Sequence, residues 1–298
     1  MGYYYDEGDA FNFYLTIWGG DHCHVGIYTA EEEAQDMQPP AGGVKGESTE
    51  SDTILLASNR SLEKILELSK PAFEGRSEGL AMDMGAAYGG CARALSKKYG
   101  CKVVCVELSK RENEVNIQRN VELKMQDKII VPGELSFLDT QQEAGVFDCC
   151  VSEDSILHAG KARPAVVAEA ARVLRKGGLF VFSDIMQKDC VDTSTLKDVY
   201  DRIGLEDMGS PAKYIEWASQ AGKLLASSFQ LKRYEDFSPQ IAVHYGKILK
   251  MLEGPTREKL RGKVSDEYIV SMMKGLRAWV AASHAGSIVW GFFVFEKL

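Results

Sequence analysis

Residues Leu80-Ala81-Met82-Asp83-Met84-Gly85-Ala86-Ala87-Tyr88-Gly89-Gly90 form an apolar run that passes through a stretch of small residues directly into a helix-forming sequence. Without bulky side chains at 85 to 90 the backbone can turn sharply and approach a ligand, and the N–H groups opening the next helix then point at it. The following apolar run, Lys102-Val103-Val104-Cys105-Val106, ends at Glu107, about 20 residues beyond the loop, where a carboxylate can accept both hydroxyls of a ribose. The spacing is Asp-x-Gly-x-Ala-x-Gly-Gly rather than G-x-G-x-x-G, with Ala87 where a dinucleotide loop has its second glycine. Taken alone, such a loop is also compatible with a plain tight turn between strand and helix.

The order of the elements downstream narrows the choice. Residues 110–124 read as a helix, 128–131 as a third strand ending near Gly133-Glu134, and 146–152 as a fourth strand. A helix over 162–174 is expected to close on Arg175-Lys176-Gly177-Gly178 as a glycine C-cap, before a fifth strand over 179–183. Upstream, apolar spacing predicts an amphipathic helix over 53–69. Beyond the fifth strand the pattern gives a long connection over 186–209, a helix over 211–221, a sixth strand over 223–229, helices over 239–253 and 265–282, and an aromatic final strand over 287–295. Continuous apolar strands separated by helices imply an α/β, doubly wound and mostly parallel sheet covered on both faces. Ligands bind such sheets at the carboxyl ends of the strands, which here deliver Asp83, Glu107, Glu134, Ser152, Glu153, Asp154 and Asp184 to one rim.

The loop resembles motif I of class I S-adenosylmethionine (SAM) methyltransferases, and an acidic rim suits a sulfonium and an ammonium better than a pyrophosphate. Composition agrees with an ordinary globular protein: 298 residues, 45% hydrophobic, 26% charged. Net charge −8 with no basic run argues against nucleic acid and anionic membranes as partners. Seven cysteines with no C-x-x-C pair read as small buried hydrophobes, and no metal is expected. The start lacks a basic or apolar signal region, so a cytoplasmic address is the default unless an organellar transit peptide is missing.

The flanks narrow the resemblance further. Asn12-Phe13-Tyr14-Leu15-Thr16-Ile17-Trp18-Gly19-Gly20 with His24-Val25-Gly26-Ile27-Tyr28 resembles the amino-terminal lid of sarcosine/dimethylglycine N-methyltransferases, which make glycine betaine. Leu108-Ser109-Lys110-Arg111-Glu112-Asn113-Glu114, Ser152 to His158, Ser183 to Gln187, Asp201 to Ser210, His244-Tyr245-Gly246 and Trp290-Gly291 are similar to that family's other motifs. Two departures are Glu107, where some bacterial members carry asparagine, and a longer acidic loop over 31–52.

The resemblance implies a class I Rossmann-like, seven-stranded sheet, with residues 1–52 as lid and mobile acidic loop and 53–298 as the SAM-binding domain. Substrate cap elements are expected at about 186–222 and 236–285, the latter a helical cap before the last strand. SAM, leaving as S-adenosylhomocysteine, would be held by Trp18, Asp83, Gly85, Ala87, Gly89, Glu107, Leu108, Glu134, Leu135 and Ser152. Tyr14, Tyr28, Asp154, Met186, Arg202, Tyr214 and Trp290 would face a small carboxylate-bearing acceptor, with Tyr14, Trp18, Tyr28 and Trp290 as an aromatic box for the onium cation. His24, His158 and His244 are the candidates for taking the amine proton. A monomer or homodimer is expected.

The main alternative within methyltransferases is an S-methyltransferase on a thioether acid such as 4-methylthio-2-hydroxybutyrate, whose product also pairs an onium with a carboxylate. More remote are a nicotinamide (NAD) oxidoreductase, which leaves the missing G-x-G-x-x-G unexplained, and a non-catalytic SAM-binding protein, which has little use for an aromatic lid.

Overall fold

The structure is a computed structural model that describes residues 8–18, 20–34, 50–225 and 228–298. Helix α1 (Gly8–Trp18), a short α2 (Ala30–Ala34) and α3 (Glu50–Ser69) precede the sheet. The alternation then runs β1 (Leu80–Met84), α4 (Gly90–Tyr99), β2 (Lys102–Val106), α5 (Lys110–Glu122), β3 (Ile129–Ile130), β4 (Phe147–Glu153), α6 (Arg163–Val173) and β5 (Leu174–Gln187). The remaining elements are α7 (Lys197–Arg202), α8 (Pro211–Leu225), β6 (Phe229–Asp236), α9 (Pro239–Glu253), α10 (Asp266–His284) and β7 (Ile288–Lys297).

The seven strands lie in the order β3-β2-β1-β4-β5-β7-β6. Strands β1 to β5 pair in parallel, whereas β7 runs antiparallel to both β5 and β6. The buried apolar runs of β1, β2 and β4 require cover on both faces, and the crossover helices supply it. Helices α9 and α10 fill the interval between β6 and β7.

Two expectations fail at element ends. Helix α6 does not close on glycine: Leu174 is its extended C-cap and already begins β5. Leu174 pairs with Phe147 and Leu179 with Cys149, so Gly177, at φ +72°, sits in an irregularity of the strand rather than at a helix end. The sixth strand is also displaced. Residues up to Leu225 continue α8, and the strand is Phe229–Asp236, whose exposed Gln230, Leu231, Lys232 and Arg233 mark a sheet edge. An edge strand half in water reads as polar, which pulled the expectation to the apolar residues before it.

The amino-terminal segment lies against the rim. Phe13, Ile17 and Trp18 of α1 are buried in the larger core cluster. Beyond α1, Val25 N–H donates to Asp154 Oδ2 at 2.9 Å, Ile27 N–H to the Ala57 carbonyl at 3.0 Å, and Tyr28 N–H to Gln240 Oε1 at 2.8 Å. A Cβ on Gly26 would come within 2.5 Å of Ala57, so only glycine permits this approach. The Asp21 carboxylate bridges Arg93, at 2.6 Å, and Arg119. Of the acidic loop expected over 31–52, Glu32 ion-pairs with Arg60 at 2.8 Å, and residues 35–49 lie outside the described residues. Five cysteines are buried, Cys23 is half-buried and Cys190 exposed, all as free thiols.

On the opposite side of the sheet the fully buried Phe182 ring lies 4.7 Å from Phe180, 5.0 Å from Phe293 and 5.2 Å from Tyr214. Phe182→Ala should therefore cost about 3–5 kcal/mol of stability in urea unfolding; a loss below about 1 kcal/mol would show that this cluster is not the packing centre of that face.

Candidate active site

The carboxyl ends of β1, β2 and β4, together with the segment after α1, enclose a cavity of about 330 Å³. From β1 come Asp83 and the turn Gly85-Ala86-Ala87. Gly85 has φ +83°, and a Cβ there would meet Ser155 at 2.5 Å. From β2 comes Glu107, whose Oε2 accepts Ala87 N–H at 3.0 Å and Oε1 accepts Ser109 N–H at 2.8 Å. Leu108 and Leu135 line the wall beside it, and Leu135 N–H is fixed on the Glu107 carbonyl at 3.0 Å. From β4 come Glu153 and Asp154, the latter at φ +49°, a strained backbone for a non-glycine residue.

These carboxyls are held away from water. Burial and the charge of Glu153 push Asp83 up to about 8. Burial raises Glu153 and Asp154 as well, with His24 the main opposing influence on both. A cavity whose acids are destabilised as anions gains most from a cation inside it. Together with the Gly85 approach and the Glu107 carboxylate pinned across the loop, this fits SAM.

The three expected histidines fall in different places. His24 lines the cavity: its Nδ1 lies 3.2 Å from the Val25 carbonyl, and its Nε2 faces Glu153 Oε1 at 3.4 Å. Among the described residues, neither His24 Nε2 nor Glu153 Oε1 has a hydrogen-bond partner. His158 also lines the cavity, and burial with the positive charges of Arg163 and Arg202 lowers it to about 4. His244 sits behind His24, fully buried; its Nδ1 takes Gly26 N–H at 3.2 Å and lies 2.8 Å from the Tyr28 hydroxyl. Burial, with His24 second, lowers His244 to about 3.

The expected aromatic box stands one layer back from the cavity. Tyr14 stacks on Trp18 at 5.1 Å, and Trp18 Nε1–H donates to the His24 carbonyl at 3.1 Å. Trp290 Nε1–H donates to Asp154 Oδ1 at 2.8 Å. These rings hold His24 and Asp154 in place. Of the other expected residues, Ser152 Oγ donates to the Met84 carbonyl at 2.7 Å, Gly89 caps α4 at φ +77°, and the Glu134 side chain is exposed. Met186 and Tyr214 belong to the second core cluster, with the Tyr214 hydroxyl on Asp184 Oδ2. The Arg202 guanidinium lies 4.6 Å from each of the Tyr245 and Trp279 rings.

Asp21, His22, Cys23 and Glu112 also line the cavity, and sequence reasoning missed them. A run of titratable residues straight after a double glycine, Gly19-Gly20-Asp21-His22-Cys23-His24, was the available signal.

Residues 82–182 match the family model described as a methyltransferase domain. The chain is 39% identical to the sarcosine/dimethylglycine N-methyltransferase of Halorhodospira halochloris, over 99% of this chain and 94% of that one. It is 35% identical to the sarcosine/dimethylglycine N-methyltransferase of Aphanothece halophytica, over 99% and 95% of the two chains. A crystal structure described as that of a candidate sarcosine dimethylglycine methyltransferase from Galdieria sulphuraria superposes with a TM-score of 0.83 at 29% identity, covering 98% of each chain. A cation-seeking cavity on a class I sheet, joined to this near full-length similarity, makes the chain a member of the sarcosine/dimethylglycine N-methyltransferase family of SAM-dependent enzymes.

Proposed function

We propose that this enzyme methylates the amine nitrogen of a small amino acid, dimethylglycine and sarcosine first, yielding glycine betaine at the last step. The observation that carries the reading is the charge layout of the acceptor end of the cavity. Glu153, Asp154 and the Nε2 lone pair of His24 stand together, while His158 has the charges of Arg163 and Arg202 behind it. An amino acid zwitterion fits with its ammonium at the first group and its carboxylate at the second.

Bound SAM supplies an electrophilic methyl group beside these residues. Glu107 would accept from its ribose hydroxyls, Leu108 and Leu135 would flank the adenine, and Asp83, Gly85 and Ala87 would hold the methionine part. The acceptor amine enters protonated, and its N–H proton passes to His24 Nε2 with Glu153 stabilising the imidazolium that forms. The freed lone pair would then be ready to accept the methyl that SAM supplies. His24 suits this task by position, its Nε2 facing Glu153 Oε1 at 3.4 Å in the cavity, whereas His158 and His244, held at about 4 and about 3, are too weak as bases for an ammonium. A thioether acceptor carries no proton, and on such a substrate the His24–Glu153 pair would have nothing to do. Residues 20–29 act as the lid that excludes water from the transfer.

Removal of two charge-assisted hydrogen bonds in Glu107→Ala should weaken SAM binding by about 1.5–3 kcal/mol in calorimetry, and an unchanged affinity would remove Glu107 from the ribose. The amine reacts only when neutral, so kcat/KM for dimethylglycine should climb toward alkaline pH, and His24→Asn should lower kcat about 100-fold or more. A variant with wild-type kcat and pH profile would exclude His24 as the proton acceptor. Asp83, at about 8 before binding, is protonated at pH 7, and a neighbouring sulfonium favours its carboxylate. SAM affinity should therefore rise with pH up to about 8 and release protons, more than S-adenosylhomocysteine does; Asp83→Asn with the same slope would refute this linkage.

A further inference from the structure

The segment after α1 brings a second histidine to the one already assigned. His22 and His24 lie with ring centroids 5.1 Å apart, and one ligand atom from each of them and one from Glu153 all fall within 4.8 Å of one another. All three groups are largely buried: His22 is 9% exposed, and the side chains of His24 and Glu153 are each 6% exposed.

His24 in its neutral form poses a problem. With its Nδ1–H directed to the Val25 carbonyl, the ring presents an Nε2 lone pair to Glu153 Oε1, a buried acceptor facing a buried acceptor at 3.4 Å. Such a pair is relieved by a proton between its members, as in the reaction proposed above, or by a metal ion.

The distance suits the second occupant. Zinc bonds nitrogen and oxygen at about 2.0–2.2 Å, so neighbouring ligand atoms in a tetrahedral site stand about 3.4 Å apart. The His24–Glu153 contact already has that edge length, and His22 has only to close from within 4.8 Å to about 3.4 Å. A histidine whose other nitrogen donates to a backbone carbonyl is the usual form of a metal-bound imidazole. Asp21, fixed between Arg93 and Arg119, anchors the backbone that carries His22, and the cavity leaves room for a water as fourth ligand.

We propose that His22, His24 and Glu153 form a binding site for one divalent ion of the zinc class, which takes the lone pair that His24 needs for the amine proton and so holds the enzyme inactive. The inhibitory consequence rests on the assignment of His24 as proton acceptor; metal binding itself does not.

The test uses the full-length, SAM-free enzyme titrated with Co2+, read by visible absorption without any substrate. The expected result is ligand-field absorption that saturates at about one ion per chain and is displaced by Zn2+. His22→Gln and Glu153→Gln, with circular dichroism showing the fold retained, should each weaken Co2+ binding tenfold or more. His22→Gln preserves the His24–Glu153 contact and keeps the test decisive if Glu153→Gln does not fold. Absence of visible bands, a sulfur-to-cobalt charge-transfer band indicating Cys23 or Cys91 as ligand, or unchanged affinity in the folded variants would each overturn the site. Should Co2+ bind as expected while Zn2+ leaves methyl transfer intact, the site would stand and the inhibition would be wrong.

Discussion

Asp154 is the joint on which the active end of this molecule depends. Its carboxylate receives hydrogen bonds from three elements distant in sequence: Val25 N–H beyond α1 at 2.9 Å, Ser183 Oγ–H of β5 at 2.7 Å and Trp290 Nε1–H of β7 at 2.8 Å. Three donors offset much of the cost of burying the carboxylate, and they hold its backbone at φ +49°. The amino-terminal segment is thereby registered on the sheet to within a hydrogen bond. That registration is what sets His24 opposite Glu153.

The aromatic residues of the amino terminus serve the site from behind. Trp18 and Trp290 each direct an indole N–H at the atoms that position it, one at the His24 carbonyl and the other at Asp154. A buried tryptophan needs a hydrogen-bond partner, and here each partner belongs to a residue that lines the cavity. Behind them His244 accepts from Gly26 N–H and contacts the Tyr28 hydroxyl, which closes the same segment against α9. The front of the cavity is lined by carboxylates and histidines, with these ring faces behind them.

Arg202 acts at a distance in a similar way. Its guanidinium is sandwiched by Tyr245 and Trp279, and a Cβ on Gly275 would collide with its stem at 2.6 Å. The charge is fixed by packing in a low-dielectric surround, and it bears on His158 across the wall of the cavity. A positive field at this wall of the cavity thus need not come from an arginine that lines it.

Much of the fold was legible in the residues because its signals are local. The loop Asp83 to Gly90, the carboxylate at Glu107, the apolar strands and the helix spacings of α9 and α10 follow from short-range periodicity and backbone preference, and they determine a class I sheet with its ligand end. Element ends were less legible where tertiary pairing overrode composition, at Leu174 and at the polar edge strand β6. The site divides the same way. Residues at strand ends, Asp83, Glu107 and Asp154, could be placed by counting. By contrast, that Tyr14 and Trp18 turn inward, that Met186 and Tyr214 lie on the far side of the sheet, and that His22 and His24 meet Glu153 were decided by contacts between residues distant in the chain. Local sequence dictates which face of a strand or helix is apolar, but only the packing of one element against another chooses which polar atoms are left facing the cavity.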